Sequence, residues 1–306
     1  MTSPHFVVIG ECVADVVRTD GAADVVHPGG SPANVAYGLA RLGEPVALLT
    51  QLADDPYGRL IRAHLESVGV TLLPGAAAEA AESAEVSGAA GAVRTPSAVV
   101  RLDEQGRAHY AFDIGWTLPP VELPFAPGHL HIGSIAAVTA PGAAAVLALV
   151  ERWHGRTSVS YDPNVRPALM GEHGEAVRRV ERCVALSDLV KASDEDLAWL
   201  YPGRDAEEVA RHWLGLGPAA VAVTRGPAGA FALTADGRRA EAPARAVEVA
   251  DTVGAGDAFT AALLHARHVG ASLDAALTRA TAAATLTVTR PGATPPDAAE
   301  LAAALA

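Results

Sequence analysis

Lysine is almost missing from this chain. Of 23 basic residues one is Lys, Lys191, and the other 22 are Arg. With abundant Ala, Gly and Pro, this points to a GC-rich genome in which most Lys positions have gone to Arg. Cysteine is nearly as scarce. Cys12 and Cys183 give no disulfide framework and no metal-ligand spacing, which suits a reducing compartment. No cluster of Arg is dense enough for a nucleic-acid face, and the formal net charge is −12. No apolar run approaches the length of a membrane span. The run FVVIG near Met1 lacks a basic flank and a cleavage site, so a cytoplasmic protein is expected. The four Trp are scattered and make no stacking platform. No Gly-Lys pair occurs anywhere, which excludes a Walker A loop.

What the chain does have is apolar content, 50% of 306 residues, ample for a large core. An α/β chain of this size often folds as one unit, and a single domain over 1–306 is expected. The segments 6–11, 45–52, 129–138, 157–162, 188–193 and 219–226 read as buried strands. Helical patterns lie between and after them, at 31–43, 55–69, 141–155, 206–217 and 257–270, then ATAAATLTV and PDAAELAAAL. Regular strand–helix alternation predicts a parallel sheet covered on both faces. Residues 13–26 and 96–112 break the rhythm. The second reads as two short strands around Glu104-Gln105-Gly106, and together they predict a small antiparallel sheet beside the core. Residues 76–92 show no period and read as a loop or weak edge strand.

In an open parallel sheet, ligands bind beyond the carboxyl ends of the strands. Several chemistry-bearing residues fall there: Glu11 and Asp15; Asp162, Asn164 and Arg166; Lys191, Ser193 and Asp196; Thr224 and Gly226. The sharpest motif is Asp251-Thr-Val-Gly-Ala-Gly-Asp-Ala-Phe259, a Gly-rich turn opening into an apolar helix. Small residues let the backbone approach an anion, and the first free N–H groups of the helix point at it. Asp257 then lies within reach of a hydroxyl brought to that anion, as phosphoryl transfer to an alcohol requires. The plainer alternative is a tight turn with Asp257 as a cap. Phe259 stands where a dinucleotide fingerprint would need its third glycine.

Gly29-Gly30-Ser31-Pro32-Ala33-Asn34 opens another helix. Ser31 and Pro32 could simply start it, or the glycines and the Asn34 amide could serve a polyol. Asp162-Pro-Asn-Val-Arg166 is explained by a turn, although Arg166 could contact phosphate or substrate hydroxyls. Thr224-Arg225-Gly226 with Gly229 could be a turn or a phosphate clasp. His265 and His268, three apart on a helix, read as an exposed face. His129 and His131 alternate on a strand and read as packing or surface residues.

In this combination and order the motifs resemble the ribokinase-like (PfkB) family of carbohydrate kinases, and within it the fructokinases. The resemblance runs from Gly10 to Pro295 through GECVAD, GGSPANVA, DPNVR, TRGPAG, DTVGAGDAF and RPGATP. It implies a three-layer α/β/α sandwich with a mainly parallel sheet and a β-sheet lid, with lid segments at about 13–30 and 94–113. It places Asp15, Gly29, Gly30, Asn34 and Arg166 at the sugar. It makes Gly254, Ala255 and Gly256 the anion hole and Asp257 the base. Ser193, Thr224, Gly226, Gly229, Gly256 and Thr281 fall toward ATP, and the position of Lys191 sets it there too. Asp196 is implied at Mg²⁺ through water, and Asp251 at a monovalent cation such as K⁺.

Three positions depart from the family pattern. Ser193 is followed by Asp196 where a Glu is common, Thr281 replaces a common Asn, and Pro296 replaces a hydroxyl residue. The expected reaction is ATP-dependent phosphorylation of a hexose, fructose first. 2-Keto-3-deoxygluconate and a nucleoside such as adenosine follow within the class. A catalytically silent sugar-binding regulator is the alternative outside it, against which the intact Asp257 speaks. Arg94, Arg101 and Phe112 of the lid are expected to bear on specificity, and the lids are expected to pair two copies into a dimer.

Overall fold

The computed structural model describes residues 5–18, 24–74, 94–102 and 108–306. The expected turn at Glu104-Gln105-Gly106 and the stretch 76–92 lie outside the described residues, as do the side chains of Val100, Arg101 and Tyr110. Among the described residues a nine-stranded sheet forms the centre. Its order is β13-β12-β11-β10-β9-β8-β1-β4-β5. The strands are β1 (Phe6–Ile9), β4 (Val46–Thr50), β5 (Thr71–Pro74), β8 (His129–Gly133), β9 (Ser158–Asp162), β10 (Leu189–Ser193), β11 (Ala220–Thr224), β12 (Ala230–Thr234) and β13 (Arg239–Ala242). From β5 to β11 every pairing is parallel.

The last two strands pair antiparallel. Sequence reading missed this hairpin, because its FALT and RAEA segments are short and Ala-rich. The predicted strand 129–138 stops at Gly133, and Ser134–Ala137 coil into a 3₁₀ turn.

Alternation along the strands feeds both faces. Val7 and Ile9 pack with α3 (Gly142–Trp153), α5 (His173–Ala185), α6 (Asp194–Leu200) and α7 (Ala206–Leu214). Phe6 and Val8 pack with α1 (Ser31–Arg41), α2 (Pro56–Glu66) and α8 (Ala255–His268). Farther along that second face, α8 packs with α9 (Leu273–Val288) and α10 (Ala298–Leu305) over β12 and β13. A short α4 (Pro167–Met170) follows β9. Caps fix the starts: Asp55 accepts from Gly58 N–H at 2.7 Å, and Asp297 and Glu300 form a capping box.

The apolar clusters of the second face are parted by a polar seam of His129, His131, Ser160, Asp162 and Lys191, all buried. His129 Nδ1 lies 2.7 Å from Ser158 Oγ and its Nε2 2.8 Å from Ser160 Oγ, which is also 2.8 Å from His131 Nδ1. Burial pushes both imidazoles down to about 3, so they are neutral. These histidines are packing residues, one of the two expected alternatives, with serine hydroxyls on their rings. His265 is not on a bare face, since its Nδ1 lies 2.6 Å from Glu44, whereas His268 is exposed as expected.

The smaller sheet runs β3-β2-β6-β7. Its strands are β2 (Val13–Arg18), β3 (Val25–Gly29), β6 (Ser97–Leu102) and β7 (Ala108–Asp113). Two antiparallel hairpins meet through a parallel β2–β6 pair. The sheet is therefore mixed rather than wholly antiparallel as expected, because both inner strands leave the core in the same direction. Its role in the fold is delivery. β2 starts two residues after Glu11 and carries Asp15, and β3 runs directly into Gly29, Gly30 and α1.

Candidate active site

Helix α8 opens at Ala255 with Gly254 as its cap, at φ 75°. A Cβ at Gly254 would stand 2.4 Å from Ala293 Cβ, so both the backbone angle and the space demand glycine. The Ala258 N–H donates to Gly254 O at 2.8 Å, and Ala255 N–H turns back to Thr252 O at 3.3 Å. The Gly256 and Asp257 N–H groups precede the helical ladder, at the positive end of a 14-residue helix.

Asp257 is the third helical residue, partly buried. Its Oδ1 accepts from the Ser31 hydroxyl at 2.6 Å and its Oδ2 from Asn34 Nδ2 at 2.8 Å. Ser31 is thus no helix cap. Gly30, at φ 98°, caps α1, and the Ser31 hydroxyl crosses the site instead. Burial raises the pKa of Asp257 above its ordinary value, the bonds from Ser31 and Asn34 pull it down, and the charge of Asp162 pushes it further up.

Directly behind lies a buried ion pair. Lys191 Nζ donates to Asp162 Oδ2 at 2.9 Å, with side chains 7% and 1% exposed. The same oxygen accepts from Thr260 on α8 at 3.2 Å, so sheet and helix are joined there. Burial opposes the charge of Lys191, but Asp162 and then Asp196 outweigh it, and its pKa is raised. A Cβ at Gly256 would come 3.0 Å from Lys191 Nζ. The ammonium therefore stands against the backbone of the Gly-rich turn.

On the other side, the Asp15 carboxylate lies over Gly29, where a Cβ would meet Asp15 Oδ2 at 2.1 Å. Burial pushes Asp15 up to about 6, against the pull of His27 and Arg166. Arg166 caps α4 and donates from Nη1 to Val165 O at 3.0 Å. Glu11, buried, is pushed up to about 7 by desolvation.

Ser193 and Asp196 form a capping box at α6. Asp196 Oδ2 accepts from Ser193 N–H and Oδ1 from Val165 N–H, both at 2.8 Å. Thr224 Oγ1 donates to Ala192 O at 3.4 Å. Gly226 has open space around its Cα, whereas a Cβ at Gly229 would strike Ala242 O at 2.1 Å. Thr281 on α9 is buried, and its hydroxyl has no partner among the described residues. Asp251 accepts from Val253 N–H at 3.0 Å and from Gly292 N–H at 2.9 Å, tying the 290–295 segment to the Gly-rich turn.

Among the described residues no group of three or more His, Cys, Asp or Glu is arranged to hold a metal. The acids instead use their oxygens on Lys191, Ser31, Asn34 and backbone N–H groups. Such a donor set fits a magnesium that arrives on nucleotide phosphates and keeps its water, and not a protein cage. Among the described residues no helix is long and apolar enough to cross a membrane.

Sequence reading missed Ser31 and Thr260 as parts of this centre, and it placed Asp162 at a strand end without pairing it to Lys191. The available signals were a hydroxyl beside Gly29-Gly30 and a carboxylate at a strand end level with the one lysine. Thr260 gave none, being one more small residue in an apolar helix.

The chain matches a known family and known structures over most of its length. The model of the pfkB family carbohydrate kinases matches residues 3–74 and 111–300. The chain is 36% identical to a fructokinase of Klebsiella pneumoniae, over 84% of this chain and 82% of that protein. It is 33% identical to a fructokinase of Rhizobium leguminosarum bv. trifolii, over 83% and 77%. The crystal structure of fructokinase from Vibrio cholerae O395, in its fructose, ADP and calcium ion bound form, superposes with a TM-score of 0.81 at 28% identity, covering 98% of each chain. A Gly-rich helix mouth with a braced carboxylate, set in this sheet order and matched over most of the sequence, makes the chain a member of the pfkB family of carbohydrate kinases.

Proposed function

We propose that this ATP-dependent carbohydrate kinase phosphorylates D-fructose, giving D-fructose 6-phosphate and ADP. The observation that carries the reading is Asp257, held by Ser31 and Asn34 at the mouth of α8. Its carboxylate takes the proton of the acceptor hydroxyl as that oxygen bonds to the γ-phosphorus and the bond to the β-phosphate oxygen breaks. The turn Gly254, Ala255 and Gly256 is the anion hole, where backbone dipoles face the charge on the transferring group. Asp15, Gly29, Gly30, Asn34 and Arg166 hold the sugar under the lid sheet.

Lys191 faces the nucleotide phosphates with the protons that Asp162 does not use. Ser193, Thr224, Gly226, Gly229 and Thr281 line the nucleotide side. Magnesium, when bound, would neutralise phosphate charge, and Asp196 would hold it through water with the lone pairs that Val165 and Ser193 leave. Asp251 would serve a monovalent cation. The relatives named as fructokinases support fructose as the acceptor. With ATP saturating, kcat/KM should be higher for fructose than for ribose, adenosine or 2-keto-3-deoxygluconate in a coupled ADP-release assay. A preference for any of the other three overturns fructose and leaves the kinase standing.

The lid also bears on assembly. β3 and β7 are the edge strands of the small sheet, and Val25 on β3 is 53% exposed. Unpaired edges with apolar side chains favour pairing with a second copy. Sedimentation at micromolar protein should therefore show a dimer, and a monomer there rules out pairing through the lid.

A further inference from the structure

Two non-glycine residues among those described adopt positive φ: Ser134 at 55° and Asn164 at 37°. Side chains rarely tolerate that region, and where they do the surroundings must enforce it. The two are not scattered. Ser134 follows β8, Asn164 follows β9, and these strands are neighbours. Asn164 Nδ2 reaches Ser134 Oγ at 3.4 Å. Ser134 opens the 3₁₀ turn Ser134–Ala137, and the buried carboxyl of Glu11 holds that turn: its Oε2 accepts from Ala136 N–H at 3.2 Å, a donor for which no helical acceptor exists. Asn164 N–H donates to Asp162 Oδ1 at 3.2 Å. Glu11, the Ser134–Ala137 turn, Asn164 and Asp162 thus form one chain of contacts across the carboxyl ends of β1, β8 and β9, ending on the carboxylate that pairs with Lys191.

We propose that Glu11 is a positioning residue for the sugar: through the Ser134–Ala137 turn it holds the 162–166 loop in the strained conformation that presents Arg166 to the acceptor. The proposal rests on the sugar-site reading above. The Glu11 carboxyl fixes the Ser134–Ala137 turn through Ala136 N–H, that turn sets the Ser134 hydroxyl, the hydroxyl fixes the Asn164 side chain, and Asn164 fixes a loop whose next-but-one residue is Arg166. Hydrogen bonds to a buried carboxyl are directional, and losing one leaves the strained backbone free to relax.

Ser134→Gly separates positioning from stability by sign. Glycine suits φ 55° and relieves strain, so the melting temperature holds or rises. The hydroxyl link is lost, so KM for fructose rises about tenfold. KM for ATP stays within about twofold, as expected for lost sugar binding alone. Glu11→Gln keeps an acceptor for Ala136 and holds fructose KM within about threefold, whereas Glu11→Ala matches Ser134→Gly. An unchanged fructose KM in Ser134→Gly overturns the proposal, and so does a loss that falls equally on ATP. A wild-type enzyme that turns over no sugar overturns the sugar reading and this inference with it. Normal wild-type turnover with a silent Ser134→Gly overturns this inference alone.

Discussion

Replacing Asp257 by Asn lowers kcat by about 10²–10⁴-fold, the usual contribution of a positioned base. Sugar and ATP binding, measured by the thermal shift each ligand gives, stay within a few-fold. Asn is isosteric and keeps one acceptor oxygen, but its NH₂ only donates, so one of the two bonds that the carboxylate accepts from Ser31 and Asn34 loses its acceptor. Some loss of order in α1 follows, which an unfolding curve reports separately from rate. The pH dependence has a definite sign. Burial raises the pKa of Asp257, and only the ionised form can take a proton. The kcat/KM of the wild type therefore falls toward acid, with its limb above the ordinary carboxylate value of about 3.9. In Asp257→Asn the part of the limb due to this group disappears. Turnover within a few-fold of wild type removes Asp257 from the mechanism.

The second large effect is on Lys191. Lys191→Met leaves Asp162 buried without its cation, and removing one partner of a buried pair destabilises by about 3–5 kcal/mol. Chemical denaturation checks this directly. Adding Asp162→Asn removes the stranded charge and restores much of that stability, but not turnover, because the phosphates still lack their cation. Recovered turnover in the double variant reduces the pair to a structural brace. Lys191→Arg is subtler. It keeps the charge, but a planar guanidinium is wider than an ammonium, and the backbone of Gly256 stands against Nζ. A higher KM for ATP or a lower kcat is expected with the fold intact. Unchanged kinetics makes the lone lysine an accident of composition.

The architecture was legible wherever local pattern and burial agree. Buried strands such as 189–193 and amphipathic helices such as 206–214 declare themselves by apolar period. The Gly-rich turn was legible because Gly254 needs a backbone angle that few residues adopt. What stayed hidden was pairing between distant segments. Nothing local to Ser31 says that its hydroxyl crosses 226 positions to Asp257 rather than capping its own helix. Nothing local to Ser160 shows that it lies between two histidines. The 230–242 hairpin was lost for the opposite reason, since small residues under α9 carry little period of their own.

The polar seam has a consequence for the proton balance of folding. His129 and His131 have folded values near 3 against an ordinary 6.5. As pH falls below 6.5 the unfolded chain takes up protons there that the folded protein refuses, and stability drops. Glu11 and Asp15 act with the opposite sign. Their folded values, about 7 and about 6, lie above the ordinary 4.5 and 3.8, so the folded protein binds their protons first and gains stability as pH falls. Two groups of each kind are engaged at once between about pH 6 and pH 4.5, where they offset one another. Below about pH 3.8 both carboxyls are protonated in the unfolded chain as well, and their contribution stops growing. Of these four groups the two imidazoles then act alone, down to about pH 3. Beneath the catalytic centre, a pair of rings that do no chemistry thus pulls the fold toward its acid limit.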